Sequence, residues 1–274
     1  MGIGWFAAAA LAAAIAPGPP DPAPPVHGLA FEGREAEAIL ARARVVSRRP
    51  IGSGVTASER LVLEDGGQTL RASWKTIDVF QPGNTRFQDG TVEVDFRDSW
   101  RFEIAAYEVD KLLGLGLVPP AVERRIDGVK GALQLWVEGA ITEAERRRRG
   151  VEDPDAEHWN RQMYGCRLLH QLTYDTDYRN VRNVLVDPGF RVYAIDFSRA
   201  FRTLPYLLAE DDLDRVPRAA FARLEALDAA AIERAAGRWI RGRQVSSLLK
   251  RRDRIVAHVR RLVAERGEAA VLLP

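Results

Sequence analysis

Cysteine and lysine are both scarce in this sequence of 274 residues. The single cysteine, Cys166, excludes an intramolecular disulfide framework and cannot build a zinc site alone. Lysine occurs at only four positions, while arginine is abundant: Lys75, Lys111, Lys130 and Lys250. Each lysine is therefore worth inspecting as a functional group.

Net charge and long hydrophobic runs are limited as well. The formal net charge is +2, which gives no electrostatic reason to expect a nucleic-acid partner. The one extended apolar stretch, residues 3–16, is shorter than the roughly 20 residues that a membrane-spanning helix needs. A hydrophobic content of 46% nevertheless allows one large core or two lobes that share a cleft.

Residues 1–27 form an apolar and Pro-rich leader. The apolar stretch has the length of a signal-peptide core and ends in a small-residue "AIA", but neither Lys nor Arg precedes it. The expected compartment is therefore the cytoplasm, with export or membrane anchoring through the N-terminus as the alternative. Residues 17–25 are typical of a flexible linker, so we expect the folded part to begin near Gly28.

The rest of the chain divides into a β-rich half, residues 28–139, and a helical half, residues 140–274. In the first half, two alternating runs flank "EDGGQT", which predicts a hairpin over residues 60–75. A helix beginning near residue 100 and two strands around "DGVKG" follow. We therefore predict an α+β fold in which a small β-rich lobe with one helix adjoins a helical lobe.

The segment "YDTDYRNVRNVLVDPGFRVYAIDFSRAF", residues 174–201, combines acidic and amide side chains with two short apolar runs. Asn183 directly precedes the run "VLV", and Asp196 directly follows "RVYAI". Because a hairpin through "DPG" pairs these runs, Asn183 and Asp196 should lie side by side. Mg²⁺ prefers such oxygen ligands, usually together with substrate phosphates. An orienting carboxylate should lie shortly before the asparagine, and both Asp177 and Asp175 are suitable.

Three upstream features supply groups for a phosphate. Gly52, Ser53 and Gly54 precede a strand, and glycine lets main-chain N–H groups approach phosphate closely. Lys75 ends the second strand of the predicted hairpin and would need a carboxylate partner. Glu103, near the start of the following helix, borders its apolar face and is the best candidate.

Together these motifs resemble the protein-kinase-like superfamily, and within it the atypical branches: phosphatidylinositol 3-/4-kinase-like, HipA-type and secreted Fam-type kinases. "NVLVD…YAIDFSRAF" is similar to bacterial proteins of that group. The resemblance implies a bilobal fold with ATP and Mg²⁺ in the cleft. It further implies that Leu135, Trp136 and Val137 line the adenine site, that Lys75 contacts phosphate, and that Asn183 and Asp196 bind the metal.

The chain also departs from that pattern. The usual spacing from the catalytic aspartate to the metal-binding asparagine is five residues, which Asp175 and Asn180 have, whereas Asp177 and Asn183 are six apart. We favour Asn183, because the apolar strand follows it, with Asp177 as the base and Asp175 and Asn180 as alternates. The predicted function is ATP-dependent phosphoryl transfer to a hydroxyl of a protein, lipid headgroup or small molecule. A pseudokinase-like binding module without turnover and nucleotidyl transfer on the same fold are the alternatives.

Overall fold

The computed structural model describes residues 28–52, 58–87, 90 and 92–274. The predictions for the leader, residues 1–27, and for Ser53 and Gly54 lie outside these residues. No helix in the described ranges is both long enough and apolar enough to cross a bilayer.

The first half of the chain is built mainly of antiparallel strands. In chain order its elements are α1 (Gly33–Arg42), β1 (Arg44–Pro50), β2 (Glu59–Asp65), β3 (Gln68–Lys75), β4 (Asp78–Arg86), β5 (Val92–Ser99), α2 (Arg101–Leu113), β6 (Ala121–Ile126) and β7 (Val129–Leu135). Five strands form one sheet in the order β1-β2-β3-β7-β6, and β4 pairs with β5 in a separate hairpin. Because β7 lies beside β3, the last residues of β3 are in the middle of the sheet.

Two tight turns set the register of this sheet. Gly66 and Gly67 join β2 to β3 with φ of 56° and 81°. Asp127 and Gly128 join β6 to β7 with φ of 49° and 82°. Positive φ at both central residues is the signature of the type I′ turn that matches the twist of paired strands. The hairpins predicted from "EDGGQT" and "DGVKG" are therefore present.

One apolar core lies between the five-stranded sheet and α1. Its fully buried members include Leu40, Leu61, Leu63 and Leu133. The small lobe thus contains two helices, α1 and α2, and not the single helix that was predicted. The helix α1 ends at Arg42, and the β-branched residues Val45 and Val46 belong to β1.

The second half is mostly helical. Its elements are β8 (Ile141–Thr142), α3 (Glu143–Arg149), α4 (Ala156–Thr173), β9 (Val184–Val186), β10 (Val192–Ala194), a 3₁₀ turn (Glu210–Leu213), β11 (Val216–Pro217), α5 (Arg218–Ala226), α6 (Ala229–Ala236), α7 (Arg243–Arg266), α8 (Glu268–Val271) and β12 (Leu272–Leu273). A second, larger core joins these helices to α2. The helix α2 therefore couples the sheet to the helical half, while the division of the chain at residues 139 and 140 stays a prediction.

The predicted hairpin between Asn183 and Asp196 is also present. Val184 pairs with Ala194 and Val186 pairs with Val192 across β9 and β10. Beyond the strands, the N–H of Ile195 donates to the carbonyl of Asn183 at 2.9 Å. Asn183 is thus hydrogen-bonded to the residue that immediately precedes Asp196.

Gly131 offers a test of how tightly the sheet is packed behind Lys75. A Cβ on Gly131 would lie 2.4 Å from the Lys75 carbonyl oxygen and 2.8 Å from the Trp74 ring. We expect Gly131→Ala to lower the free energy of unfolding by about 1–3 kcal/mol, the usual cost of overpacking a core. Urea unfolding measures the change. The control is Lys130→Ala on the same strand, where the side chain is half exposed; equal losses in both variants would contradict this packing.

Candidate active site

Three charged side chains from distant parts of the chain meet between the sheet and the helical half. The Nζ of Lys75 lies 2.5 Å from Oε1 of Glu103 and 2.5 Å from Oδ1 of Asp196. Lys75 ends β3, Glu103 lies in the first turn of α2, and Asp196 follows β10. The structure therefore brings together a cation and two carboxylates that the sequence analysis assigned to one site.

Glu103 is the buried anchor of this cluster, with 2% of its surface exposed. Its second oxygen, Oε2, accepts the main-chain N–H of Phe197 at 3.1 Å. One carboxylate thus holds Lys75 on one side and the residue after Asp196 on the other. Glu108 lies one turn further along α2 and contacts Lys111 at 3.0 Å instead.

The protonation of this cluster follows from its surroundings. Burial disfavours the Lys75 ammonium, but the carboxylates of Glu103 and Asp196 outweigh that cost and raise the pKa of Lys75. Burial raises the pKa of Glu103, and the nearby Lys75 opposes that rise. Lys75 is therefore a permanent cation at neutral pH, as a phosphate-binding group must be.

Asp177 and the two asparagines form a second polar cluster beside the hairpin. Oδ2 of Asp177 accepts hydrogen bonds from Nδ2 of Asn183 at 2.9 Å and from Nδ2 of Asn180 at 3.1 Å. Because the Asn183 amide nitrogen is bonded to Asp177, its Oδ1 is left for another partner. Within the described residues, the only group that hydrogen-bonds to this oxygen is Nδ2 of Asn180, at 3.4 Å. Burial, aided by Asp175 and Asp196, raises the pKa of Asp177.

Asp175 has different surroundings, since its surface is completely buried. Its Oδ2 lies 3.0 Å from Nδ1 of His170, and its Oδ1 accepts the N–H of Asp177 at 3.1 Å. The His170 ring in turn stacks on Phe197, with ring centroids 5.1 Å apart. These contacts connect the loop that carries Asp177 to the residue that follows Asp196, and they occupy both oxygens of Asp175.

The donor set fits a divalent cation only in part. No three His, Cys, Asp or Glu side chains converge on a metal site within the described ranges. Asn183 and Asp196 supply amide and carboxylate oxygens, and 39% of the Asp196 side chain is exposed. Asp196 has a φ of 64°, an uncommon left-handed conformation for a non-glycine residue. Two hard oxygen ligands at one end of a hairpin suit Mg²⁺ or a similar ion that keeps phosphate and water oxygens as its other ligands.

The remaining predicted nucleotide contacts lie in the loop after β1 and at the end of β7. Gly52 is exposed in the loop that joins β1 to β2, and the N–H of Ile51 closes that loop on the carbonyl of Ser58 at 2.9 Å. Leu135 and Val137 are buried at the end of β7, and Trp136 between them is half-buried. Among the described residues, none hydrogen-bonds to the main chain of Val137.

Several residues of this site escape sequence reasoning. The histidines have no ligand-like neighbours in the sequence, yet His170 contacts both Asp175 and Phe197. Its only signal is the spacing of five residues to Asp175 at the end of α4. Two further ionic contacts, from Glu93 to Arg199 and Arg202, join segments more than 100 residues apart and leave no local pattern.

The strand order, the lysine and glutamate between sheet and helix, and the polar hairpin define an α+β, bilobal, protein-kinase-like fold. Structural comparison supports that class. The Golgi casein kinase superimposes with a TM-score of 0.63 over 89% of this chain and 78% of its own, at 13% identity. Hydra Fam20, determined with sugar, gives 0.62 over 86% and 90% at 14% identity. The Golgi casein kinase with Mn and ADP bound gives 0.56 over 87% and 78%, also at 14% identity.

These similarities establish the fold alone, because all three identities are low. No protein-family model matches the sequence, and no curated protein matches it either. Three atypical branches were named from the sequence, and the branch to which this chain would belong stays a prediction.

The burial of Glu103 predicts a large effect on stability. Glu103→Gln removes the main counter-charge of buried Lys75, and we expect the free energy of unfolding to fall by about 3 kcal/mol, the order seen when one partner of a buried pair is removed. Glu108→Gln on the same helix is the matched control, with an expected loss below about 1 kcal/mol because its partner is a surface lysine. Guanidinium unfolding of both variants tests this. Similar losses for the two would show that Lys75 does not depend on Glu103.

Proposed function

We propose that this protein is an ATP-dependent phosphotransferase that moves the γ-phosphate of ATP to a hydroxyl of a substrate. The observation that supports it most is the contact of Lys75 with both Glu103 and Asp196, at 2.5 Å each. A phosphoryl-transfer site needs a cation on the phosphates, a carboxylate that holds this cation, and metal ligands beside it. Here one buried ammonium lies between the holding carboxylate and the metal-ligand candidate.

The nucleotide would lie under the sheet with its phosphates toward Lys75. Gly52, Ser53 and Gly54 belong to the loop expected over the phosphates. Leu135, Trp136 and Val137 are the expected adenine contacts, and the main chain of Val137 has its N–H and C=O available for the edge of a base. Lys75 would exchange part of its contact with Asp196 for phosphate oxygens, because three positively charged hydrogen-bond donors suit several anionic partners.

Asn183 and Asp196 are the residues that would hold Mg²⁺, with Asn180 as the alternate ligand. When bound, the ion neutralises charge on the phosphates during transfer. Its coordination by protein and phosphate oxygens together agrees with a donor set of only two side chains. Asp177 would keep Asn183 oriented, since its carboxylate accepts the amide N–H groups of Asn183 and Asn180.

Asp177 is the better candidate for the group that orients the substrate hydroxyl and accepts its proton. Asp175 is fully buried and both its oxygens are bonded within the protein, whereas Asp177 is only half-buried. We therefore assign Asp175 to positioning the loop, together with His170, and Asp177 to the base. The substrate is an unidentified hydroxyl compound, and the two lobes that would enclose it are residues 28–139 and 140–274.

Isotopic labelling tests the proposal. Purified protein is incubated with Mg²⁺ or Mn²⁺ and ATP labelled at the γ- or the α-phosphate, against mixed protein, lipid and small-molecule acceptors. Transfer of γ-label, lost in Asp196→Ala, supports the phosphotransferase. Transfer of α-label would indicate nucleotidyl transfer, and ATP binding without any transfer would indicate a pseudokinase-like module. Retention of γ-transfer in Asp196→Ala would overturn the site assignment.

The raised pKa of Asp177 predicts a shifted pH profile. A base must be ionised, so transfer should fall as the pH drops through a pKa that lies above the ordinary aspartate range of about 4. The Asn180 amide stabilises the ionised form, so its removal in Asn180→Ala should move the acid limb of kcat/KM to still higher pH. Tyr178→Phe, in the same loop, is the control and should leave the limb in place. An unmoved limb in Asn180→Ala would exclude Asp177 as the base.

A further inference from the structure

The β4–β5 hairpin is not used by the proposed function, yet in the chain it lies between two members of the active-site cluster. It follows Lys75 at the end of β3 and precedes α2, which carries Glu103. Its second strand, β5, contacts the segment that follows Asp196. The hairpin therefore links Lys75 to Glu103 along the chain and contacts the segment after Asp196.

The strongest of these contacts is ionic. The Glu93 carboxylate on β5 bonds through one oxygen to the Arg199 guanidinium and through the other to that of Arg202. Only 6% of the Arg202 surface is exposed, and its second nitrogen donates to the Asp95 carbonyl at 2.9 Å. Charge-assisted bonds at a largely buried position are worth more than surface pairs, because little water competes for the partners.

The hairpin contains a bulge next to the residue whose carbonyl binds Arg202. The pairing register shifts between Gln81 and Asn84, and Asp95 opposite the shift has a φ of 52°. The N–H of Gly83 donates to Oδ1 of Asp95 at 2.9 Å, which stabilises this left-handed residue. A bulge commonly redirects the groups beside it, and here the Asp95 carbonyl faces Arg202.

Aromatic rings complete the arginine site. Phe87 and Phe96 pack edge to face with ring centroids 5.2 Å apart. The Arg199 guanidinium lies 5.6 Å and 5.5 Å from the two centroids, and that of Arg202 lies 5.4 Å from Phe96. Both arginines thus have a carboxylate and a ring from the same hairpin, which fixes their position.

At the end of β5 the hairpin is also hydrogen-bonded to the segment beside Asp196. The N–H of Ser99 donates to the carbonyl of Ser198 at 2.8 Å. The hydroxyl of Ser198 lies 3.3 Å from Oδ1 of Asp196. Residues 196–202 are therefore held by the hairpin at both ends, near Asp196 and at Arg202.

In regulated protein kinases an added phosphate on the activation segment pairs with arginine and orders that segment. Here the charges are reversed, with the arginines on the segment and the carboxylate outside it: we propose that Glu93 is a positioning residue whose permanent pairing with Arg199 and Arg202 holds residues 196–202, and through them Asp196, in the metal-binding arrangement without any modification. The link to metal binding rests on the function proposed above. The pairing itself is a property of the fold and can be measured separately.

Hydrogen exchange measures the pairing. The N–H of Phe197 donates to Glu103, and that of Phe201 donates to the Thr173 carbonyl at 2.6 Å. Glu93→Gln keeps the size of the side chain but removes its charge, so these two amides should exchange about tenfold faster or more, as expected for lost charge-assisted bonds. Amides of β9 and β10 should be unaffected. Glu93→Asp, which keeps the charge, should retain most of the protection.

Nucleotide binding measures the consequence. The ratio of ADP affinity with and without Mn²⁺, from calorimetry, reports on Asp196 rather than on general stability. We expect Glu93→Gln to reduce this ratio about tenfold. The matched control is Asp65→Asn, which also loses a two-pronged arginine pair, with Arg42 at 2.6 and 3.0 Å, on the far side of the sheet. It should leave both the ratio and the exchange of Phe197 and Phe201 unchanged.

The outcomes are distinct. Faster exchange at Phe197 and Phe201 with a reduced metal ratio supports the proposal. Unchanged exchange in Glu93→Gln, or changes equal to those in Asp65→Asn, would overturn it. If the wild-type protein shows no metal-dependent ADP binding, the proposed function fails, while the exchange rates still decide whether Glu93 orders residues 196–202.

Discussion

The structure depends on one buried ammonium. Lys75 ends β3, the middle strand of the five-stranded sheet, where a charge without partners would cost several kcal/mol. Glu103 and Asp196 compensate that charge, and each comes from a different element: the first turn of α2 and the end of the polar hairpin. The neutralisation of Lys75 thus joins the sheet, the helix and the hairpin at one point, in addition to the apolar core that packs α2 against the hairpin.

Further contacts reinforce this arrangement from the helical side. Glu103 accepts the N–H of Phe197, the Phe197 ring stacks on His170, and His170 lies against Asp175. This series connects the helix that holds Lys75 to the loop that carries Asp177. In the β4–β5 hairpin, Glu93 adds a second set of contacts through its bonds to Arg199 and Arg202.

Much of the site could be predicted from the sequence because its signals are local. The two glycines after β2 determine a tight turn, and "DPG" pairs two short strands that bring Asn183 next to Ile195. Glu103 could be chosen over Glu108 as the partner of Lys75, because it borders the apolar face of its helix. By contrast, β4 has the residues "QPG" in its middle and resembles a loop, and no periodicity relates Glu93 to Arg199 and Arg202. Such contacts depend on how distant elements pack, which a single sequence does not encode in any nearby pattern.

In the proposed function, Asp196 and Asn183 together receive a metal-bound nucleotide beside Lys75. Crystals soaked with Mn²⁺ and ADP test it most directly, because the anomalous scattering of manganese locates the ion without assumption. We expect a single strong peak at about 2.0–2.3 Å from oxygens of Asp196 and Asn183, with the ADP phosphates in contact with Lys75. Manganese bound elsewhere, or ADP bound with Asp196 and Asn183 contacting no ion, would contradict it.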